Sequence, residues 1–164
     1  MKNQITGAQC PVPSTCFMRE AVRQANKALT HDDVPVGAVI ARGGRIIARG
    51  RNMVQKNRDV TAHAEIVAIR AAAKKLGAKF LDDCEIYVTL EPCAMCATAI
   101  SFARIGRVVF AARDDKGGGI LSGARVFDTA PHLWKPKIGR AAEFENESAE
   151  LLKEFFKNKR QYPK

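Results

Sequence analysis

His63-Ala64-Glu65 is followed, after a gap of 26 residues, by Pro92-Cys93-Ala94-Met95-Cys96. One imidazole and two thiols make three metal donors, His63, Cys93 and Cys96, and leave Glu65 as a carboxylate the metal does not need. Three protein ligands leave the fourth position of a tetrahedral Zn2+ to water, which is the arrangement of a catalytic zinc. Either half of the pattern alone says little. C-x-x-C also occurs in zinc knuckles and redox proteins, and H-x-E on a helix is often an ordinary polar face.

Joined, the two halves form the H-x-E and P-C-x-x-C pattern of the zinc-dependent nucleobase deaminases. The expected chemistry follows. Zinc lowers the pKa of a bound water from near 16 toward about 7. Glu65 would take the water's proton, give it to a ring nitrogen, and later deliver a proton to a departing amino group, so that ammonia leaves and a carbonyl remains. A structural zinc would need a fourth ligand, but Cys84 opens an apolar run and reads as a small buried residue, while Cys10 and Cys16 lie far upstream. A redox dithiol would follow the first strand of a thioredoxin-like unit, whereas this C-x-x-C follows the third strand-like run and comes with the His-Glu pair.

Those residues must be held by elements that the apolar spacing makes visible. Phe17, Ala21, Val22, Ala25, Ala28 and Leu29 predict a helix from Ser14 to Leu29, capped by Ser14 or Thr15. Val36 to Ala41 and Arg45 to Arg49 read as strands joined by a tight turn at Gly43-Gly44. Residues 51–61 are polar and read as irregular. Ile66, Val67, Ile69 and Ala73 predict a helix from Ala62 to Leu76, ending near Gly77. A strand over Glu85 to Leu90, a helix over Ala94 to Arg104 and a strand over Arg107 to Ala111 follow. Gly117-Gly118-Gly119 opens a long connection to Lys137, and a last amphipathic helix from Ser148 to Lys159 would pack Leu151, Leu152, Phe155 and Phe156. The hairpin followed by alternating helix and strand predicts a mixed sheet with helices on both faces. The helix starts would then present His63, Cys93 and Cys96 where helix dipoles favour thiolate and hydroxide.

The chain has 164 residues, 46% of them hydrophobic, which suits one globular domain over residues 14–164 behind a loose arm over residues 1–13. No apolar run reaches 18 residues, so no membrane span is expected. Cys10-Pro11-Val12-Pro13 interrupts any signal-peptide-like stretch. Five cysteines are an odd number and two serve the metal, which favours a reducing cytoplasm. Twenty-seven basic against 17 acidic residues give a net charge of +10. Such a surplus attracts polyanions and suits a nucleic-acid partner, although solubility alone also accounts for basic chains.

The chain resembles the bacterial tRNA-specific adenosine deaminases (the TadA type) within the cytidine deaminase-like superfamily. The likeness runs from Val34 to Arg160. It is carried by Val34-Pro-Val-Gly-Ala, Thr61-Ala-His-Ala-Glu-Ile, Tyr87-Val-Thr-Leu-Glu-Pro-Cys-Ala-Met-Cys, Ile105-Gly-Arg-Val-Val-Phe and Phe155-Phe-Lys-Asn-Lys-Arg. The resemblance implies a three-layer α/β/α fold around a mixed five-stranded sheet, one Zn2+ per subunit, a homodimer whose subunits complete each other's sites, and conversion of adenosine to inosine at the wobble position of a tRNA anticodon stem-loop. It implies His63, Cys93 and Cys96 as zinc ligands and Glu65 as proton shuttle. It further implies Asn52 and the Ala64 backbone as base contacts, Asp59, Arg113, Asp114 and Lys116 near the anticodon loop, and Lys157, Lys159 and Arg160 on a basic C-terminal helix.

Plainer roles stand beside these. Asn52 could form an Asx-turn, Asp114 and Asp115 beside Arg113 and Lys116 a solvated turn, and the C-terminal cations an exposed helix face. Glu91 reads as a cap for the following helix, and His31, beside Asp32 and Asp33, and His132 as surface residues. Val60 and Asp115 stand where the family usually has proline. The stretch His132-Leu-Trp-Lys-Pro-Lys replaces a His- or Asn-rich segment that helps the family hold RNA, so Trp134 and Lys135 could substitute by stacking and charge. Two other functions remain open: a free nucleobase or nucleoside deaminase of the guanine or cytosine type, and a non-catalytic zinc-stabilised RNA-binding module, against which Glu65 counts.

Overall fold

The structure, a computed structural model, describes residues 13–161. Residues 1–12, which hold the expected arm and Cys10, lie outside the described residues, as do residues 162–164. Pro13, placed at the end of the arm from sequence, instead opens the first helix, α1 (Pro13–Ala28). Proline suits a first helical position because its fixed φ is already helical and the N–H it lacks has no partner there. Ser14 and Thr15 therefore lie inside the first turn and do not cap it.

A short 3-10 turn, Leu29–His31, leads to the hairpin of β1 (Gly37–Arg42) and β2 (Arg45–Arg51). Gly43 and Gly44 make its two-residue turn with φ of 54° and 75°, the doubly positive geometry that matches strand twist. The segment read as irregular holds a four-residue helix, α2 (Val54–Asn57). There follow α3 (Ala64–Leu76), β3 (Cys84–Leu90), α4 (Ala94–Phe102), β4 (Arg107–Ala112), a single turn α5 (Val126–Thr129), β5 (Lys137–Arg140) and α6 (Glu145–Gln161). The last helix starts earlier than its apolar spacing indicated, and α4 stops at Phe102 instead of Arg104.

The five strands form one sheet in the order β2-β1-β3-β4-β5. The pairs β2-β1 and β1-β3 are antiparallel, while β3-β4 and β4-β5 are parallel. The fifth strand, which the resemblance implied and the pattern did not reveal, lies at an edge and has four residues. Ile138 is its one large apolar side chain, too little for a two-residue alternation.

Side chains alternate across the sheet. Ala38, Ile40, Ile86, Val88, Val108 and Phe110 face one core with α3 and α4, while Val39, Ala41, Tyr87, Val109 and Ala111 face the other with α1 and Leu151 of α6. This is the expected three-layer arrangement. On α3, Ala64, Ala68 and Ala72 are fully buried at i, i+4 spacing, a stripe of minimal side chains that lets the helix lie close on β2. A Cβ on Gly50 would sit 2.1 Å from the Ala64 carbonyl oxygen and 2.7 Å from the Ala68 nitrogen, so only glycine fits beneath the turn that begins at His63. No helix of the described residues is long and apolar enough to cross a membrane.

Candidate active site

His63 and Cys93 are the N-cap residues of α3 and α4, both in extended conformation. Their carbonyls accept the first helical bonds, from Val67 N at 3.0 Å and Ala97 N at 2.8 Å. Neither side chain caps its helix, so both are left for a metal. Cys96 projects from the first turn of α4 and is fully buried. The parallel pairing of β3 with β4 places the Cys93 segment at the carboxyl ends of the central strands, where ligands bind in open α/β sheets.

His63 Nδ1 lies 3.7 Å from Cys93 Sγ and 3.5 Å from Cys96 Sγ. Zn–N and Zn–S bonds at tetrahedral angles require donor separations of about 3.5–3.8 Å. The three donors all lie within 4.8 Å of one another, and the two separations from His63 Nδ1 match those a zinc ion would require, so these residues would hold zinc with Nδ1 as the imidazole donor. Glu65 is not a member of this donor group.

In the metal-free chain, hydrogen bonds from Cys96 and His63 hold the Cys93 thiol down to about 4, and the same contact with Cys93, together with burial, pushes the Cys96 thiol up. The His63 imidazole is raised, chiefly by its hydrogen bond with Cys93. One negative sulfur, a protonated neighbour and an imidazole inclined to positive charge make a cluster from which a divalent cation displaces protons. Glu65 is only 4% exposed, and burial pushes its carboxyl up to about 7, with the Cys93 charge adding to the rise. A carboxyl poised near neutrality suits proton transfer in both directions.

A cavity of about 610 Å³ opens at His63, with Asn52, Val54, Phe155, Phe156 and Lys159 among its walls. Asn52 is almost buried, and its Oδ1 accepts the Val54 N–H at 3.1 Å. It is thus both the Asx-turn and a wall of the cavity, and the turn uses the acceptor of its amide and not its donor. Ala64 is buried at the start of α3, where its N–H has no acceptor within the helix. Asp59 accepts the backbone N–H and the hydroxyl of Thr61 at 2.8 and 2.7 Å, shaping the turn that leads into His63. Those bonds, the hydroxyl's first, hold its carboxyl below the usual range.

The three C-terminal cations are divided. Lys159 pairs with Asp32 at the rim of the cavity. Lys157 and Arg160 line a neighbouring groove with Leu152, Lys153 and Phe156. Phe155 and Phe156, expected in the core, instead face these openings, and Phe156 is 46% exposed. Asp114 shapes a turn, since its Oδ1 accepts the N–H groups of Lys116 and Gly117 at 3.2 and 2.9 Å. Arg113 donates to Ser122 Oγ at 3.1 Å and pairs with Asp115 at 3.6 Å. Lys116 is exposed beside them. Trp134 donates its indole N–H to the Ile105 carbonyl at 3.0 Å, just before β4 begins. A six-residue strand spans about 20 Å, so within one chain Trp134 lies at the end of the sheet away from Cys93.

Two buried carboxylates depart from what the sequence suggests. Asp33, two residues from the exposed His31, is buried and accepts the N–H groups of Gln55 and Lys56 at 2.6 and 3.3 Å, starting α2 beside the cavity. Glu91 does not cap α4. It turns instead to the loop after β4 and accepts N–H groups from Asp114, Ile120, Leu121 and Ser122. Burial alone would raise the Glu91 carboxyl, but these bonds together hold it below the usual range. Nothing local in the sequence signals either role, because both partners come from distant segments. Cys84 is buried, and His31 and His132 are exposed, as their spacing implied.

Fold and donor set together define a zinc-binding deaminase domain. The family model for the cytidine and deoxycytidylate deaminase zinc-binding region matches residues 13–112. The tRNA-specific adenosine deaminase of Agrobacterium fabrum is 49% identical over 148 residues, covering 89% of this chain and 95% of that protein. A solved structure from work on A-to-I editing by tRNA:A34 deaminases at the wobble position of transfer RNA has a TM-score of 0.81 at 48% identity, over 84% of this chain and 99% of its own. A guanine deaminase from Bacillus subtilis is 47% identical, but over 60% of this chain and 64% of its own, with a TM-score of 0.59. The chain belongs to the family of tRNA-specific adenosine deaminases.

Proposed function

We propose that the protein is a hydrolytic deaminase that converts adenosine to inosine at the wobble position of a tRNA anticodon loop. The observation that carries this reading is the buried Glu65 beside the donors His63, Cys93 and Cys96 but outside their group. A structural zinc has no use for such a carboxylate. Zinc held by these three residues supplies a polarised water that loses a proton near neutral pH.

With zinc held by these residues, Glu65 would take a proton from the water and give it to the ring nitrogen next to the amino-bearing carbon, while the water's oxygen bonds to that carbon. Glu65 then carries the second proton to the amino group. The carbon–nitrogen bond breaks, ammonia leaves and a carbonyl remains, so one water is consumed for each ammonia released. The amide of Asn52 and the backbone N–H of Ala64 orient the base in the cavity. A base must leave its stack to enter, which favours a single-stranded loop.

The wider surface supports an RNA substrate. The net charge is +10, and Lys157, Lys159 and Arg160 flank the cavity on α6, with Arg113 and Lys116 on the loop after β4. Val60, Met95, Phe102 and Leu121 are exposed apolar side chains. They favour a homodimer as the working state. We place the reaction in the cytoplasm, with the cellular tRNA pool.

The similarity to a guanine deaminase sustains a second reading, a deaminase of free bases. Incubating zinc-loaded protein with cellular tRNA, an anticodon stem-loop, adenosine, guanine and cytosine, then measuring ammonia and inosine, separates the two. Inosine in tRNA is the expected result, and ammonia from free bases alone would overturn the proposal.

A further inference from the structure

We propose that Glu91 is a positioning residue that sets affinity for the RNA by holding the loop of residues 113–122 against the Cys93 segment. Glu91 follows β3 and is 2% exposed. Its Oε1 accepts three consecutive backbone N–H groups, from Ile120 at 3.2 Å, Leu121 at 2.7 Å and Ser122 at 2.8 Å. Its Oε2 accepts the Asp114 N–H at 3.2 Å and the Ser122 hydroxyl at 2.9 Å. Consecutive N–H groups converging on one point form an anion site, and here the anion is the chain's own carboxylate. The carboxyl packs so closely under Gly118 that a Cβ there would fall 2.7 Å from Oε1.

The loop is tied down a second time beside the metal ligand, by Gly119 N donating to Pro92 O at 2.8 Å. Ser122 Oγ connects the anchor to the surface, since it donates to Glu91 and accepts from Arg113 at 3.1 Å. A buried anion thus fixes, through one hydroxyl, the guanidinium of an arginine on the RNA-facing loop. Glu65 and His63 belong to α3 and its N-cap, which make none of these bonds. Disturbing Glu91 should therefore loosen the substrate wall and spare the reacting centre.

The inference rests on the deaminase reading above. Glu91→Gln keeps the shape but replaces one acceptor by an NH2 group, which leaves a loop N–H facing a donor. The expected result is a rise of about tenfold in KM for an anticodon stem-loop, equivalent to about 1.4 kcal/mol, with kcat held within about threefold. Zinc content should stay unchanged. Hydrogen exchange at the Ile120, Leu121 and Ser122 amides should accelerate while α3 keeps its protection. Ser122→Ala, which removes the hydroxyl bridge between Glu91 and Arg113 but leaves the four backbone N–H bonds to Glu91 in place, should raise KM in the same direction by less. An unchanged KM in Glu91→Gln, or a loss of zinc, or a fall in kcat at constant KM would overturn the proposal. A wild-type protein that makes no inosine in tRNA would instead remove the deaminase reading, whatever the exchange measurement shows of Glu91.

Discussion

Replacing Glu65 by glutamine should abolish deamination and, in the zinc-free protein, make the fold more stable above neutral pH. The carboxyl titrates near 4.5 when unfolded and is pushed up to about 7 by burial in the native chain. Between these values the unfolded chain has lost its proton while the native chain keeps it. The native state therefore binds more protons, and stability falls as pH rises through this window, then levels off above about 7. The span corresponds to about 3 kcal/mol at 1.36 kcal/mol per pH unit. Glutamine has no such titration. The zinc-free variant should gain on zinc-free wild type by about 3 kcal/mol between pH 4.5 and pH 8, which is roughly 6–12 °C in Tm for a chain of this size. The assay is thermal unfolding of both proteins after chelation, across that pH range. A stability difference that does not change with pH would show that Glu65 is not a buried carboxyl of raised pKa. Inosine formation by the glutamine variant at near the wild-type rate would remove it from the mechanism.

The remaining expectations concern the metal, the helix that follows His63, and the RNA. Cys93→Ala should lose zinc, whereas Glu65→Gln should keep about one per chain, as elemental analysis of both will show. Gly50→Ala drives a Cβ to within 2.1 Å of the Ala64 carbonyl, so α3 must shift. It should cost about 1–3 kcal/mol in stability by overpacking and about 10²-fold in rate, read by denaturant titration and steady-state kinetics. Binding of an anticodon stem-loop should weaken steeply with salt. The combined replacement of Lys157, Lys159 and Arg160 by alanine should flatten the log–log slope by about 0.7 for each phosphate that is no longer neutralised, and raise KM more than it lowers kcat.

The metal-donor group was legible in the sequence because three ligands drawn from two short motifs leave a discontinuous but rigid signature, and the fold brings the same three together. His63, Cys93 and Cys96 supply imidazole and thiolate donors, the ligand types zinc prefers, at spacings that put each one at or near a helix start. The hairpin was legible at Gly43-Gly44, and the central strands and α3 and α4 by their apolar runs, since turn geometry and period are local properties. Tertiary structure decided what depended on distant partners. β5 forms because β4 offers it an edge and Trp134 and Arg140 bind backbone carbonyls at Ile105 and Ala111. Phe155 and Phe156 leave the core for the cavity because Leu151 and Leu152 already supply the packing side of α6. Asp33 became an anchor, and Glu91 an anchor and not a cap, because loops far along the chain converge on them with N–H donors. A carboxylate's residue type predicts that it will accept hydrogen bonds, but only the folded chain determines which donors it meets.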